Sequence, residues 1–571
     1  MLHVVDQQCC SVRIQGPVHA HGERTGGYLV RGDRRYGHPI RVASLDVKVA
    51  PWPPNLVERY RDLGLWSGHT FNDVLRSRAQ EPGSEQRLAV IDAERRLTYR
   101  DLDDRVSRLA AGLMAAGIGP EDRVVVQIPN RVGYVEAVFA LFRLGAIPVF
   151  TLPANRESEL VPIARAAGAV AIISPGADPA TDFRALAETV MAQVDSVGVL
   201  IDADDLEAHF ADPVEHRRSD PGELAFLQLS GGSTGIPKLI PRTHDDYLYS
   251  VRRSNELCGV TADTVYMATL PVAQNFPMSS PGILGAMLAG GTIALAASPQ
   301  PSIAWALIQD AGVTMTGLVP PLARLWTEVA ERGTDFDLSS LQTIQVGGAR
   351  CPDELARRIG PALGVTLQQV FGMAEGLVCY TRLDDPIDEV TTTQGRPMSD
   401  DDQLRLVDEN GDPVTSGPGF LETQGPYTIR SYWQDASPSS FTPDGWYRTG
   451  DVVEFSDRGN LIVRGRGGDR INRGGEKVSA EQVEEQLLGH PDVRDAVVVG
   501  VSDAYLGERT CAYIIPADPQ VPPTLAGIRR HVRAAGLAEW KLPDVVKVIE
   551  AFPETGVGKV SRRRLRQLLA G

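Results

Sequence analysis

The sequence is poor in cysteine, has no excess of basic charge and contains no long apolar run. Its six cysteines among 571 residues show neither the density nor the paired spacing of a disulfide framework or a zinc site. Lysine and arginine total 57 against 73 aspartates and glutamates, so the net charge of −16 disfavours a general nucleic-acid-binding protein. The apolar runs fall far short of the roughly 20 residues that span a bilayer, and residues 1–37 lack a secretory apolar segment. We therefore expect a cytoplasmic protein that is not inserted in a membrane.

Length and composition predict an ordinary globular protein of several domains. Hydrophobic residues make up 43% and charged residues 23% of the chain, which is average. At about 150 residues per domain, the length allows two to four domains, or one large domain with a smaller one. Residues 1–45 lack hydrophobic periodicity and are interpreted as a disordered extension. A glycine-rich charged segment at residues 464–470 marks a boundary near Asp469, which gives a large N-terminal domain, residues 46–468, and a small C-terminal domain, residues 469–571.

Strand and helix patterns alternate along the first part of the large domain. Leu88–Ile91 is a short apolar strand, and Thr98 with Asp101 has the spacing of a capping box that opens a helix. Residues 124–128 and 147–151 have the pattern of further strands, with a helix over residues 134–144 between them. This alternation predicts an α/β fold with a parallel sheet between helices, in which ligands bind at the carboxyl ends of the strands.

A glycine-rich loop, LSGGSTGIPK at residues 229–238, follows an apolar strand pattern at Leu224–Leu229. Its glycines let backbone N–H groups face a polyanion, and hydroxyl groups and a lysine add further donors. The candidate phosphate-binding residues are Ser230, Gly231, Gly232, Ser233, Thr234, Gly235 and Lys238. The loop is not a Walker motif, because Ile236 and Pro237 separate Gly235 from Lys238. Taken alone, it could equally be an ordinary flexible turn.

The loop has four companions in a fixed order: FGMAE at residues 371–375, YRTGD at 447–451, GRGGD at 465–469 and PETGVGK at 553–559. With these motifs the chain resembles the adenylate-forming (ANL) superfamily over residues 51–569. Four further segments are similar to the stand-alone aryl-acid adenylating enzymes of the 2,3-dihydroxybenzoate–AMP ligase type. They are PRTHDDY at residues 241–247, NFPMSSPG at 275–282, LQQVFGMAEG at 367–376 and INRGGEK at 471–477.

This resemblance implies an α/β fold in which the large domain combines parallel-sheet αβα layers with a β-barrel-like subdomain, followed by a small mobile α+β domain. It also implies a reaction in two halves. A carboxylate first attacks the α-phosphorus of ATP and expels pyrophosphate, and a thiol then attacks the acyl-adenylate. Such chemistry needs fixed cations and N–H donors more than a proton-transferring base. The chain agrees, since it has no histidine between His244 and His490.

The resemblance also assigns site residues. Lys559 matches the catalytic lysine that bridges the substrate carboxylate and the α-phosphate, and Glu375 matches the glutamate associated with Mg²⁺. His244 is the third catalytic candidate. Asp451 is expected to accept the ribose hydroxyls with help from Arg466. Gly348, Ala349, Gln369 and Phe371 are expected to line the adenine pocket, and Gly372 and Met373 are further candidates for binding the nucleotide.

The acid pocket follows the aryl-acid pattern with two departures. Amino-acid-activating relatives carry an aspartate at the position of Asn275, so an α-amino acid would leave its ammonium unpaired here, at a cost of several kcal/mol. An amide suits an aryl acid with an ortho hydroxyl, because it can both donate and accept. The other residues expected to face the ring are Gln274, Phe276, Ser280, Gly347, Val370 and Val378.

The small side chains of Ser280 and Val378 resemble the 2,3-dihydroxybenzoate pattern, whereas Gln274 and Phe276 stand where family members usually have histidine and tyrosine. One interpretation is a related hydroxylated aromatic or heteroaromatic acid, such as a 3-hydroxypicolinate or 3-hydroxyquinaldate. The other is neutral drift with an unchanged substrate, and salicylate also belongs to this class of acids.

The second half-reaction implies a thiol acceptor. By resemblance Asp469 is the hinge about which the small domain reorients, and Gly475 and Lys477 lie on the face used for thiol transfer. The expected partner is an aryl carrier protein with a phosphopantetheine arm on a separate polypeptide, in siderophore or nonribosomal peptide biosynthesis. Free coenzyme A is the alternative acceptor, and a non-catalytic adenylate-binding or scaffold protein is the alternative of another class. Neither a nucleic acid nor a membrane is an expected partner.

Overall fold

The computed structural model describes residues 49–178, 181–214, 218–230, 238–434, 440–467, 470–473, 476–503, 505–535, 537, 539–555 and 559–569. It also describes the backbone of Tyr28–Val30. Only the backbone is described at residues 177–178, 470, 472, 476–477 and 507. Among these residues no helix has both the length and the apolar character needed to cross a bilayer.

A seven-stranded sheet forms the first half of the large domain. Its strands, in the order in which they lie side by side, are β1 (Tyr28–Val30), β9 (Val199–Asp202), β6 (Ala171–Ser174), β4 (Arg123–Val126), β5 (Ile147–Phe150), β10 (Leu224–Leu229) and β11 (Leu239–Thr243). The five inner strands run parallel, whereas β1 and β11 pair antiparallel at the two edges. A separate short hairpin joins β7 (Ala177–Asp178) to β8 (Thr181–Asp182).

A nine-stranded sheet forms the second half. In spatial order it contains β18 (Arg396–Pro397), β17 (Leu377–Tyr380), β16 (Thr366–Met373), β15 (Thr343–Gly347), β14 (Met315–Leu318), β12 (Val265–Ala268), β13 (Thr292–Leu295), β2 (Leu88–Ile91) and β3 (Arg96–Thr98). The strands from β16 to β2 are parallel, and the edges are closed by antiparallel strands. The predicted α/β class with parallel sheets is confirmed, and residues 88–91 form the predicted strand.

Helices cover the sheets. Those of the large domain are α1 (Pro54–Asp62), α2 (Phe71–Gln80), α3 (Tyr99–Ala115), α4 (Val132–Leu144), α5 (Glu157–Ala167), α6 (Phe183–Gln193), α7 (His244–Cys258), α8 (Asn275–Ser279), α9 (Gly282–Ala289), α10 (Pro301–Ala311), α11 (Pro320–Glu331), α12 (Asp353–Leu363) and α13 (Ile387–Thr392). A 3₁₀ turn covers Leu206–His209. Helix α3 begins at the predicted capping box, in which Thr98 and Asp101 bond each other's backbone N–H. Every residue of α4 is buried, so this helix lies in the core.

A four-stranded antiparallel sheet follows, in the order β19 (Gln403–Val407), β20 (Gly419–Gln424), β21 (Tyr447–Phe455) and β22 (Leu461–Arg466). It occupies the place of the expected β-barrel-like subdomain. The last sheet contains β24 (Glu476–Ser479), β23 (Arg470–Arg473), β26 (Gly507–Pro516) and β25 (Val493–Asp503), with β27 (Val545–Val548) beside β26. Its helices are α14 (Ala480–Leu488), α15 (Leu525–Ala534) and α16 (Arg562–Gln567), with a 3₁₀ turn at Glu539–Lys541.

The expected N-terminal extension and the expected boundary between the domains can be compared with these elements. Strand β1 lies inside the segment expected to be a disordered extension, and it pairs antiparallel with β9 at Val199, Leu200 and Ile201. Tyr28–Val30 therefore differ from the expected disorder of the extension, which stays a prediction for the remaining residues up to 45. The proposed boundary falls between β22 and β23, where residues 468–469 lie outside the described part of the chain.

Candidate active site

Four charged side chains from distant parts of the chain meet in one cleft. Asp451 on β21 is buried, and it accepts a hydrogen bond of 2.9 Å from Nε of Arg466 on β22. Lys559 is exposed, and desolvation of its ammonium by the neighbouring protein lowers the pKa of Lys559. Arg466 lowers that pKa further, whereas Glu375 and Asp451 oppose the change. The structure therefore brings together Lys559, Glu375, Asp451 and Arg466, which the motifs predicted as site residues.

Tyrosines fix the position of Glu375 at the turn between β16 and β17. The hydroxyl of Tyr432 donates to Glu375 Oε1 at 3.0 Å and lies 3.0 Å from the hydroxyl of Tyr447. The ammonium of Lys238 lies 4.4 Å from the centre of the Tyr432 ring. The end of the glycine loop thus reaches the same cleft as Glu375. Tyr432 belongs to none of the motifs, and its position in the sequence carries no signal of this role.

Only the two ends of the glycine loop are described. Ser230 and Lys238 bond each other: the Ser230 N–H donates to the Lys238 carbonyl at 2.9 Å, and the Lys238 N–H donates to Ser230 Oγ at 2.9 Å. These two hydrogen bonds hold the two ends of the loop together beside β10. The predicted phosphate-binding residues Gly231, Gly232, Ser233, Thr234 and Gly235 lie outside the described residues, so their role stays a prediction.

The residues predicted for the nucleotide site at β15 and β16 differ in how far they are exposed. Gly348, Ala349 and Gly372 are exposed at the ends of β15 and β16, and Gly348 has a φ of +80°, which a side chain would strain. Phe371 and Met373 are half-buried. Gln369 differs from its prediction because it is 1% exposed and donates to the carbonyl of Val390 at 2.6 Å. Strand alternation turns Gln369 to the face opposite Val370, so its side chain ties β16 to α13.

The predicted acid pocket is assembled around the ring of Phe276. A Cβ added to Gly347 would lie 2.8 Å from the Val370 carbonyl and 3.2 Å from the Phe276 ring, and a Cβ at Gly317 would lie 3.1 Å from that ring. The structure therefore brings Phe276, Gly347 and Val370 together and adds Gly317, which no motif indicated. Val378 is fully buried beside Gly372.

Two tyrosines hold the amide of Asn275 at the start of α8. Its Oδ1 accepts hydrogen bonds from the hydroxyls of Tyr247 at 2.8 Å and Tyr427 at 3.3 Å. The amide oxygen is therefore engaged with the protein, and the amide nitrogen is left to donate. Gln274 is half-buried at the N-cap of the same helix, and Ser280 is 2% exposed just after it.

His244 lies apart from the four charged side chains just described. Its ring is packed 5.0 Å from Phe71 and 6.0 Å from Phe142, and its Nδ1 accepts from the Phe71 N–H at 3.3 Å. Burial lowers the pKa of His244 to about 3, so the imidazole is neutral at physiological pH. These surroundings favour a packing role at the start of α7, and its catalytic role stays a prediction.

Of the residues predicted for the hinge and for thiol transfer, only the backbone of Lys477 belongs to the described part of the chain. Asp469 and Gly475 lie outside the described residues. Lys477 is described by its backbone alone, in β24, where it pairs with Asn472 of β23. Their roles stay predictions.

Comparison with known proteins gives consistent matches over almost the whole chain. A family model described as AMP-binding enzyme matches residues 76–433, and one described as AMP-binding enzyme C-terminal domain matches residues 482–559. The 2,3-dihydroxybenzoate-AMP ligase of Bacillus subtilis (strain 168) is 50% identical over 529 residues, which cover 91% of this chain and 97% of that protein. A salicylyl-CoA synthase / salicylate adenylyltransferase of a Streptomyces species is 43% identical over 541 residues, covering 91% and 97%. The apo structure of MbtA from Mycobacterium smegmatis superposes with a TM-score of 0.70 at 41% identity, covering 91% of this chain and 98% of that one.

Proposed function

The chain belongs to the AMP-binding enzyme family, and from this premise we propose that it is an aryl-acid–AMP ligase. In this proposal it activates an aromatic carboxylic acid with ATP and releases pyrophosphate, and the phosphopantetheine thiol of an aryl carrier protein then takes the aroyl group and releases AMP. The observation that carries the proposal is the convergence of Lys559 on Asp451, Arg466 and Glu375. The names of the two relatives described above, both at more than 40% identity, support an aryl acid.

The charges in the cleft suit the first half-reaction. When the carboxylate attacks the α-phosphorus, negative charge grows on the phosphate oxygens, and a fixed cation nearby stabilises it. Lys559 is the ammonium that would bridge the two reacting groups. Asp451, which accepts a hydrogen bond from Arg466, would accept the ribose hydroxyls of the nucleotide. The partly desolvated surroundings of Lys559 strengthen its attraction to the phosphate.

Magnesium fits the cleft as a metal held mainly by the nucleotide. No cluster of three or more histidine, cysteine or acidic side chains suited to a metal occurs in the described part of the chain. Mg²⁺ is commonly bound by one or two carboxylates plus substrate phosphates, so the Glu375 carboxylate would suit it as a ligand. When bound, the ion would neutralise phosphate charge during pyrophosphate release.

The pocket favours an acid whose ring carries a hydrogen-bond acceptor next to the carboxylate. Because Tyr247 and Tyr427 engage the Asn275 oxygen, the amide presents N–H to the substrate. An ortho hydroxyl oxygen or a ring nitrogen accepts such a bond, whereas an ammonium would repel it. Gln274 and Phe276 replace the usual histidine and tyrosine of the family. For this reason the proposal includes heteroaromatic hydroxy acids as well as 2,3-dihydroxybenzoate and salicylate.

Aryl-acid-dependent exchange of pyrophosphate into ATP tests the proposal. The panel contains benzoate, salicylate, 2,3-dihydroxybenzoate, 3-hydroxypicolinate and 3-hydroxyquinaldate, with phenylalanine as an amino-acid control. We expect kcat/KM to be highest for an acid with an ortho acceptor and negligible for phenylalanine. A highest value for 2,3-dihydroxybenzoate would refute the heteroaromatic interpretation, and no exchange with any acid would refute the proposed function.

Lys559→Ala tests the role of the lysine. We expect exchange to fall at least about a hundredfold, as after loss of one group that stabilises transition-state charge. Lys547→Ala, which removes an exposed lysine on β27, is the matched control and should keep wild-type activity. Full activity in Lys559→Ala would contradict the assignment.

The acceptor is tested separately. A thioester assay with a holo aryl carrier protein is compared with the same assay using free coenzyme A. Faster loading of the carrier supports the proposal, and faster formation of the coenzyme A thioester supports the alternative, an aryl-CoA ligase.

A further inference from the structure

Helix α14 of the small C-terminal part contacts the large domain through its N-cap, Ser479, and through Glu481 and Glu485. Ser479 Oγ, at its N-cap, donates to the Arg464 carbonyl of β22 at 3.0 Å. Glu481 lies so near Gly465 that a Cβ there would be 3.2 Å from the Glu481 carboxylate. One helical turn further along the same face, Glu485 reaches the large domain. The helix therefore contacts the strand that carries Arg466.

Glu485 pairs with Arg350 in a two-pronged ion pair. Two guanidinium nitrogens of Arg350 lie 3.1 and 3.2 Å from the two carboxylate oxygens of Glu485. Only 14% of the arginine side chain and 26% of the glutamate side chain are exposed, so solvent screens the pair weakly. Arg350 also binds Asp353 at 2.7 Å, which fixes its direction. Because Arg350 follows Gly348 and Ala349, the pair joins α14 to the loop predicted to contact adenine.

The adjacent Glu484 joins α14 to the segment that carries Lys559. Nη2 of Arg562 donates to Glu484 Oε2 at 2.9 Å, and Nη1 donates to the Val498 carbonyl at 2.6 Å. Arg562 lies three residues after Lys559. Neighbouring glutamates on α14 therefore connect the adenine-side loop with the lysine.

We propose that Arg350 and Glu485 are positioning residues that form a latch for the first half-reaction. The latch holds α14 on the cleft, and through Glu484 and Arg562 it keeps Lys559 beside Asp451. It rests on the proposed function, since it concerns the same site. Because the pair links the large domain to a helix that follows the predicted hinge, it must separate before α14 can turn away for thiol transfer. The latch therefore favours adenylation over transfer.

Two half-reactions measured separately test the latch. Arg350→Gln, Glu485→Gln and the double variant are assayed for pyrophosphate exchange, and for transfer of the aroyl group from preformed aroyl adenylate to a holo carrier protein and to coenzyme A. We expect each variant to lose about tenfold in exchange, as for coupled ion pairs, and to transfer at least as fast as wild type. The double variant should lose no more exchange than either single variant.

Arg358→Gln is the control, because Arg358 on α12 pairs with Glu331 and Glu354 inside the large domain. It should leave both half-reactions unchanged. Equal losses in exchange and transfer, or additive losses in the double variant, would overturn the latch. A raised KM for ATP in Arg350→Gln without the same effect in Glu485→Gln would show that Arg350 binds nucleotide, and would also overturn it. A wild type inactive in exchange would instead refute the proposed function and remove the basis of the latch.

Discussion

At the scale of single residues, motif reading found the charged groups of the cleft because each belongs to a short segment with its own spacing. The structure brings Lys559, Glu375, Asp451 and Arg466 together, and the roles that the motifs assign to them stay predictions. Residues that act by packing have no such signal. Gly317 and Tyr432 reach the site only through the pairing of strands and the path of a loop, which spacing along the chain does not record. For Gln369, the resemblance indicated a position on β16 but not the face on which its side chain lies, where it bonds the Val390 carbonyl.

Gly317→Ala is predicted to impair binding of the aryl acid. The added methyl group would lie 3.1 Å from Cζ of Phe276 and 3.3 Å from the Tyr266 hydroxyl, so the Phe276 ring must move within the predicted acid pocket. We expect the KM for the acid to rise roughly tenfold, while the KM for ATP stays unchanged. Gly198→Ala is the control, because nothing lies within 4 Å of its added methyl group. An unchanged KM for every acid in the panel would show that Phe276 does not face the substrate.

Tyr427→Phe is predicted to weaken discrimination at the ortho position. Losing this hydroxyl removes one of two donors that hold the Asn275 oxygen, so the amide can turn. We expect kcat/KM to fall about fivefold for acids with an ortho acceptor, the effect of one hydrogen bond, with less change for benzoate. Tyr99→Phe is the matched control, because it removes a buried hydroxyl that donates to the Gly291 carbonyl at 2.6 Å instead. Equal losses for all acids would show that Tyr427 supports the fold alone.

At the scale of elements, the sequence located ends of helices better than their neighbours in space. The capping residue Thr98 begins α3 as expected, because an N-cap is a local property of a few residues. The contact of α14 with β22 was not predictable in this way. It requires a glycine at position 465 with a φ of +121°, close to a glutamate from a later part of the chain.

Glu481→Gln is predicted to change how the contact between α14 and β22 depends on pH. Burial first, and then repulsion by Glu484, raise the pKa of Glu481 to about 7. The other charged groups that act on it are Arg562, Asp451 and Arg350. Because this folded pKa lies above the ordinary value, the contribution of Glu481 to stability is complete below pH 4.5 and is lost as pH rises through 7. Ionised Glu481 thus weakens the contact with Gly465.

We therefore expect the ratio of exchange in Glu481→Gln to exchange in wild type to rise about twofold or more between pH 6 and pH 8. Exchange rates across this range, measured at saturating ATP and acid, give the ratio directly. Glu550→Gln, which changes an exposed carboxylate, should give a constant ratio. A constant ratio for Glu481→Gln as well would show that ionisation of Glu481 does not affect the contact between α14 and β22.

At the scale of the whole molecule, the resemblance to adenylate-forming enzymes is confirmed by the family models and by relatives that span more than nine-tenths of the chain. The net charge of −16 is compatible with nucleotide binding, because Lys238, Arg466 and Lys559 gather positive charge in the cleft. Charge totals alone could not reveal this local concentration. Nor could they reveal which acidic groups are buried, since burial depends on the assembled sheets.

Two buried titratable groups of the large domain, Asp402 and His244, should change its stability in opposite directions as pH rises. Burial raises the pKa of Asp402 to about 7, although Tyr249 donates to its carboxylate at 2.9 Å. Stability from Asp402 is therefore complete below its ordinary pKa of 3.8 and is lost as pH rises through 7. His244 acts in the other direction, because its lowered pKa supplies stability above pH 6.5 that is lost as pH falls towards 3.

Asp402→Asn isolates the first of these effects. Asparagine keeps the shape of the side chain and carries no charge, so the variant avoids the cost of a buried carboxylate at neutral and alkaline pH. We expect its Tm relative to wild type to increase by roughly 2 °C or more between pH 5 and pH 8, as followed by calorimetry. Asp457→Asn, at an exposed aspartate, should follow the wild-type profile. If Asp402→Asn shifted Tm by the same amount at every pH, the change would reflect packing alone, and ionisation of Asp402 would have no part in the stability of the protein.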